Sequence, residues 1–451
     1  MDKTTNTDLT NRHILSRLLG LSWPLTVSET LGMLVPTIDM VWIGKLGTEA
    51  IAGVGIAIFA NAVVMSLVSG ITTGLRATIA RLAGRNEPEI ANHMMKQTLV
   101  FTLGFTLIIA IAGAFSARSL LELLGLEATA VNEGTSYLRP MFLAMPVFSM
   151  RLVAETSMQA SGDALTVMKI TVLHRLLHAV LSPLLVFGWL SFPRLGVSGA
   201  AWAPIIGQSI ALILALWILF TGRTKLHLTL NSLRIAPRDM WRVVKIGMPT
   251  AVTFVLNDLG SMVIAWIMIP FGTMAVAAHV ISRRIEMVLF MPIAGLGLAA
   301  GILSGQYLGA RRPDYVVKSG WLAAGLATAF MVSGSLIILV FAEPIVGIFN
   351  SEPGLVTMGG TFLRIATVSF SMIGFIIVFM QCLNGVGDTV PPMVIMGASM
   401  WLVTIPLVYF LPGFIDSTVF GVRWMLLSMP LLSATALTTY FHLGKWKSRN
   451  V

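Results

Sequence analysis

Apolar runs of about twenty residues recur along this chain, and they leave it few possible folds. They lie at 14–43, 51–75, 94–116, 136–158, 165–190, 196–221, 242–269, 275–303, 318–342, 361–384, 391–411 and 419–442, about twelve in all. In lipid every backbone N–H and C=O must be satisfied within the protein, so runs of this length are expected as helices. Only 11% of the 451 residues are charged, against about 25% in soluble domains. The chain therefore reads as an all-α membrane protein. Its net charge of +10 does not point to nucleic acid, because the basic residues gather at the ends of apolar runs. With the amino terminus inside, about 20 of the 30 Lys and Arg fall on inner segments, so both termini are expected in the cytoplasm. The single cysteine, Cys382, excludes an internal disulfide framework and a cysteine metal cage.

The two halves repeat. Pro24 matches Pro249, Gly47 matches Gly272, Pro88 matches Pro313 and Asp163 matches Asp388, all at one offset in numbering (249−24 = 272−47 = 313−88 = 388−163 = 225). Arg139 and Arg364 keep the same register, so the offset holds over about 140 residues (163−24 = 139). Six helices per half is an even number, so both halves enter from one face, and the repeat is parallel, about a pseudo-two-fold axis along the membrane normal. The expected organisation is a cytoplasmic tail (1–13), a six-helix bundle (14–221), a cytoplasmic linker (222–241), a second six-helix bundle (242–442) and a carboxyl-terminal tail (443–451). Two such halves suit an alternating-access carrier, although a duplicated scaffold without transport has the same pattern.

The polar residues inside the runs decide between these readings, since an intramembrane ionisable group is costly and marks a pathway or a partner. Asp39 stands alone in "LGMLVPTIDMVWIGKLG". It is a candidate cation switch, or else an acid solvated at the outer interface beside Lys45. His174 and His178 lie one turn apart on the fifth predicted helix, with Ser182 and Pro183 continuing that face. They form a protonatable pair or a hydrogen-bonded polar stripe. Asn257 and Asp258 fall in the seventh predicted helix, Asp258 as a second coupling carboxylate or an inter-helix hydrogen bond and Asn257 as a candidate cavity residue. In "AAHVISRRIE", Arg283 and Glu286 can pair at i, i+3, and Glu286 and Arg284 are candidate substrate contacts. Met33 and Trp42 are expected to line the cavity. Gly162-Asp163 and Gly387-Asp388 read as turns. No P-loop, no H-E-x-x-H and no nucleophile–base pair is visible, so the chain is not read as an enzyme and no metal site or cofactor is expected.

The segments "PLTVSETLGMLVPTIDMVWIGKLGTEAIAGVGIA" and "AAHVISRRIEMVLFMPIAGLGLAAGILSGQYLGARRPD", with "GVGDTVPP" and the paired "YLR" and "FLR", resemble the MATE (multidrug and toxic compound extrusion) family. The likeness covers essentially the whole chain and is closest to the bacterial DinF-like type within the MOP flippase superfamily. It implies an antiporter, expected as a monomer, that exports organic cations or amphipathic drugs against inward H⁺ or Na⁺. Asp39 matches the family's first-helix coupling acid. Elsewhere the chain departs from the pattern. The DinF-like Asn-x-x-x-Asp-Pro of the fifth helix reads His178 to Ser182-Pro183, and a sixth-helix Thr is replaced by Pro204. The NorM-like seventh-helix Glu falls on Asn257, and the tenth-helix Asp falls near Ile373. Sodium needs several fixed oxygens, whereas a proton needs one tunable acid, so proton coupling is favoured over sodium. The alternative within the superfamily is a flippase for a lipid-linked sugar or polysaccharide precursor.

Overall fold

The computed structural model describes residues 11–229, 235–410 and 419–448. Most of the expected amino-terminal tail, linker residues 230–234 and the last three residues lie outside this set, as does the side chain of Pro36, expected to kink the first helix. Every regular element among the described residues is helical. The helices are α1 (Asn11–Gly44), α2 (Thr48–Arg85), α3 (Pro88–Leu123), α4 (Ala128–Leu143), α5 (Met145–Ser161), α6 (Ala164–Phe187) and α7 (Val197–Phe220). After the mid-chain segment come α8 (Pro237–Met268), α9 (Thr273–Gly309), α10 (Pro313–Gly347), α11 (Pro353–Gly385), α12 (Val390–Ala398), α13 (Ile405–Phe410), α14 (Val419–Met425) and α15 (Ser428–Leu443). Among the described residues eleven helical stretches are long and apolar enough to cross a membrane. The remaining predicted run, 136–158, is split between α4 and α5 at Ala144. Pro140 inside α4 and Pro146 in the first turn of α5 flank the break, where a missing N–H weakens the helical ladder.

The half-chain offset is visible atom by atom. Arg139 donates from Nε to the Ala114 carbonyl at 3.1 Å, and Arg364 donates to the Leu339 carbonyl at 3.4 Å, the same bond moved by one offset at each end (364−139 = 339−114 = 225). Gly47 and Gly272 precede α2 and α9 at φ +126° and +94°, a region closed to most side chains. Gly162 and Gly387 turn at positive φ, and Asp163 caps α6 by accepting from the Thr166 N–H at 3.2 Å. The turn reading at those two sites therefore holds.

The chain forms two compact units, Val27–Ala251 and Val252–Val451 together with Met1–Thr26. The divisions fall inside α1 and α8 and are themselves separated by that same offset (252−27 = 225).

In the amino-terminal unit one apolar core gathers Leu75, Ile79, Met95, Val153 and Val167, and another gathers Val54, Leu121, Leu138 and Val186. The described part of the mid-chain segment is strapped to α3. Asn92 accepts from the His227 N–H (2.9 Å), Lys96 donates to Thr229 Oγ1 (2.8 Å), and Gln97 accepts from the Ala236 N–H (2.9 Å). Leu226 and Leu228 beneath them are buried. In the carboxyl-terminal unit the residues after α15 fold back. Trp446 is fully buried, donates to the Phe441 carbonyl at 3.0 Å and stacks on the Phe441 ring at 5.4 Å.

Within that unit α9 and α11 come close enough that Gly301 and Gly385 face each other backbone to backbone. A Cβ at Gly301 would meet the Gln381 carbonyl oxygen at 2.5 Å. Gly301→Val is expected to lower stability by about 1–3 kcal/mol, the usual cost of overpacking, measured as thermal unfolding in detergent; an unchanged midpoint would show that the helices can separate freely.

Candidate functional site

α6 places residues 174, 178 and 182 one turn apart, so their side chains form a single stripe. The stripe is buried: His174 is 1%, His178 2% and Ser182 0% exposed. α1 brings Asp39 to it. His178 Nε2 lies 2.6 Å from Asp39 Oδ2, and Ser182 Oγ donates to Asp39 Oδ1 at 2.7 Å. One carboxylate oxygen thus accepts from a hydroxyl, and the other lies against an imidazole edge. The Asp39 side chain keeps 14% of its surface accessible against 3% for His178, so most of the acid is covered by protein and it is not a freely solvated surface group. Tyr137 of α4, also buried, lies within electrostatic reach of it.

Charged residues continue along the same unit from this set. Arg151 and Glu155 of α5 pair through Nη1 and Oε2, and Arg151 Nε donates to Gln208 Oε1 of α7 at 3.1 Å. Arg175 lies within electrostatic reach of Arg151, Glu155, Asp39 and Glu29. Glu29 of α1 faces Arg76 as well. Three guanidiniums (Arg76, Arg151, Arg175) are thus set against three carboxylates (Glu29, Asp39, Glu155), and the cluster balances in charge.

Glu29, Arg76, Tyr137 and Gln208 are additions to the residues expected from sequence. The apolar run lengths place Arg76 among the inner-segment charges. α2 instead continues ten residues past the predicted end at 75, to Arg85, and carries Arg76 within the helix. Glu29 carries the signal that selects Asp39, an acid inside an apolar run.

The carboxyl-terminal unit holds a cavity of about 420 Å³. Asn257 and Asp258 of α8 line it opposite Arg283 and Glu286 of α9. Glu286 receives Arg283 on Oε2 at 2.9 Å, the i, i+3 pair expected, and Arg423 of α14 on Oε1. Arg423 Nη1 lies 3.3 Å from His279 Nδ1, and its Nε donates to the Phe362 carbonyl at 3.4 Å. Glu286 and Arg423 are each 4% exposed. Arg284 does not share this cavity: one position along an α-helix is a turn of about 100°, and its side chain is exposed instead. Met33 is 37% exposed on α1. Trp42 packs edge-on against Phe187 and Trp189 at 6.0 and 6.4 Å, with Lys45 Nζ 4.7 Å over its ring. These contacts form an aromatic cluster near the end of α1, one helical turn beyond Asp39.

Comparison with known proteins agrees with this architecture. The MatE family profile matches residues 24–184 and 249–410, so the second match begins one offset after the first (249−24 = 225). The chain is 26% identical over 442 residues to the probable multidrug resistance protein NorM of Thermotoga maritima, covering 97% of this chain and 94% of that one. It is 24% identical to the FAD transporter of Shewanella oneidensis, over 92% and 90% of the two chains. The crystal structure of the Vibrio cholerae MATE transporter VcmN in the bent form superposes with a TM-score of 0.87 at 20% identity, covering 96% of this chain and 97% of that one. With the family matched over both halves of a multi-pass helical chain, the protein belongs to the MatE family, and it is a membrane transporter and not an enzyme.

Proposed function

We propose that the protein is a secondary antiporter of the bacterial inner membrane, its termini cytoplasmic, that exports organic cations or amphipathic drugs in exchange for inward protons. The carrying observation is the Asp39–His178–Ser182 arrangement. A carboxylate set against an imidazole and a hydroxyl, and still partly accessible, binds a proton or a cation but not both. A proton delivered to the pair neutralises Asp39 and releases the cation it faced; loss of that proton to the cytoplasm restores the binding charge. Ser182 keeps Oδ1 oriented, and His178 gives the proton a second resting place 2.6 Å away. A nitrogen and one hydroxyl around the acid favour a proton over sodium, which takes six or so oxygen ligands. The names of relatives such as the Thermotoga NorM protein support a drug-like substrate.

The flippase alternative asks for arginines free to take an anionic lipid-linked precursor. Here each of Arg76, Arg151 and Arg175 has a carboxylate within reach, which favours a cationic substrate. The test is efflux of a fluorescent organic cation from proteoliposomes with either a proton or a sodium gradient imposed. The expected outcome is transport that follows the proton gradient and ignores sodium; efflux driven by sodium alone at constant pH overturns the coupling assignment.

A further inference from the structure

Two hollows in the carboxyl-terminal unit lie back to back. The 420 Å³ cavity meets one face of the α8–α12 seam at Asn257, Met396 and Met400. A second hollow of about 330 Å³ meets the other face at Leu256, Gly397 and Trp401. Each inner residue is the chain neighbour of an outer one, so the same two helices, α8 and α12 with its π-helical continuation, wall both hollows and meet at one seam. The outer groove is lined by apolar side chains of two stretches long and apolar enough to cross a membrane, and Val394 and Leu402 on it are exposed.

The seam is built to be loose. Between α12 and α13 the chain runs as a π-helix from Ser399 to Thr404, with Thr404 Oγ1 donating to the Ser399 carbonyl at 2.8 Å, five residues back. Such bulges interrupt the regular ladder and occur often at functional sites. Opposite Met400, α8 presents Gly260, and a Cβ there would lie 2.5 Å from Met400 Cε and 2.9 Å from its Cγ. A flexible thioether resting in a glycine notch is what closes the wall. Trp401 Nε1 pins the outer edge by donating to the Leu256 carbonyl at 3.1 Å.

The chemistry inside names the ligand. Arg283, Arg423 and Glu286 together carry one net positive charge, while Asp258 on the facing α8 wall carries a negative one. The remaining lining mixes methionine, isoleucine, leucine and Phe290 with the polar Asn257, Ser261, His279, Ser369 and Thr404. Two opposite charges in a chamber with a long apolar lining, beside an exposed apolar groove, match a head of two charges on a single tail. We infer that this unit contains a second ligand site, separate from Asp39, which takes single-chain zwitterionic amphiphiles from the bilayer through the α8–α12 seam.

The test uses the full chain in proteoliposomes containing a lysophosphocholine with a diazirine in its tail, with adducts mapped by mass spectrometry. In the parent, adducts are expected on the groove side (Trp401) and on the cavity side (Met380, Phe290). Gly260→Cys with Met400→Cys, in a Cys382→Ala background, places two cysteine Cβ atoms within disulfide range. Oxidation is expected to reduce cavity adducts at least about ten-fold while groove adducts persist, and reduction restores them, which also shows that the variant is folded. Probes with the same tail but only an ammonium or only a phosphate head are expected to label the cavity about ten-fold less. Asp39→Asn is expected to leave labelling unchanged, which separates this site from the coupling chemistry above. Cavity labelling that survives oxidation, is absent from the parent, falls with Asp39→Asn or is as strong with a singly charged head overturns the inference.

Discussion

Asp39→Asn is expected to lower proton-driven efflux by about a hundred-fold or more, equivalent to about 2.7 kcal/mol or more in the barrier of the coupled step. The amide is close in shape to the carboxylate and can still accept from Ser182, so the bundle should fold unchanged. It carries no charge to hold an organic cation and takes up no proton in this range, so both halves of the exchange lose their common group. The measurement is initial efflux rate against imposed pH gradient, with protein orientation and amount matched. Thermal unfolding in detergent should differ little from the parent, because only one 14%-exposed charge is removed beside His178. A variant that transports at the parental rate across a pH gradient would sink the coupling role.

The second large effect is on stability. Glu286→Ala is expected to cost about 3–5 kcal/mol, because it leaves Arg423 buried without a counter-charge. Arg283 contributes less to that loss: its side chain is 49% exposed and can turn to the cavity mouth. Arg423 is 4% exposed and is held in the cavity wall by Glu286, the Phe362 carbonyl and its contact with His279, so its guanidinium cannot turn out to bulk water. The double variant Glu286→Met with Arg423→Met should recover most of the loss, since a buried ion pair is often matched by apolar side chains of similar volume. Thermal unfolding of the three proteins in one detergent checks this. A single variant that melts within about 1 °C of the parent would mean that the pair is already hydrated.

These two pairs mark the limit of what was legible in the sequence. Run lengths and the half-chain offset are properties of the linear chain, so helix content, membrane class and duplication could be read from it. Arg283 with Glu286, three residues apart on one helix, was legible for the same reason. So was the stripe of His174, His178 and Ser182, because a helical turn converts a spacing of four into a shared face. Asp39 stood out as a cost in lipid, and Glu29, which the sequence reading passed over, carries the same signal, but nothing in either position says which partner answers that cost.

The partners come from far along the chain: Ser182 is 143 residues from Asp39, and Arg423 is 137 residues from Glu286. Only packing decides which of the buried cations meets which acid. The break at Ala144, the extension of α2 past Arg76 and the π-helical turn at Ser399–Thr404 are likewise tertiary outcomes, since each depends on what the neighbouring helices accept. The linear sequence determined that this protein is a duplicated helical membrane chain with costly charges inside it, because lipid penalises bare backbone and bare charge wherever they fall. The tertiary structure alone decided that Asp39 faces an imidazole and a hydroxyl, because charge pairing acts over a few ångströms and those distances exist only after the helices pack.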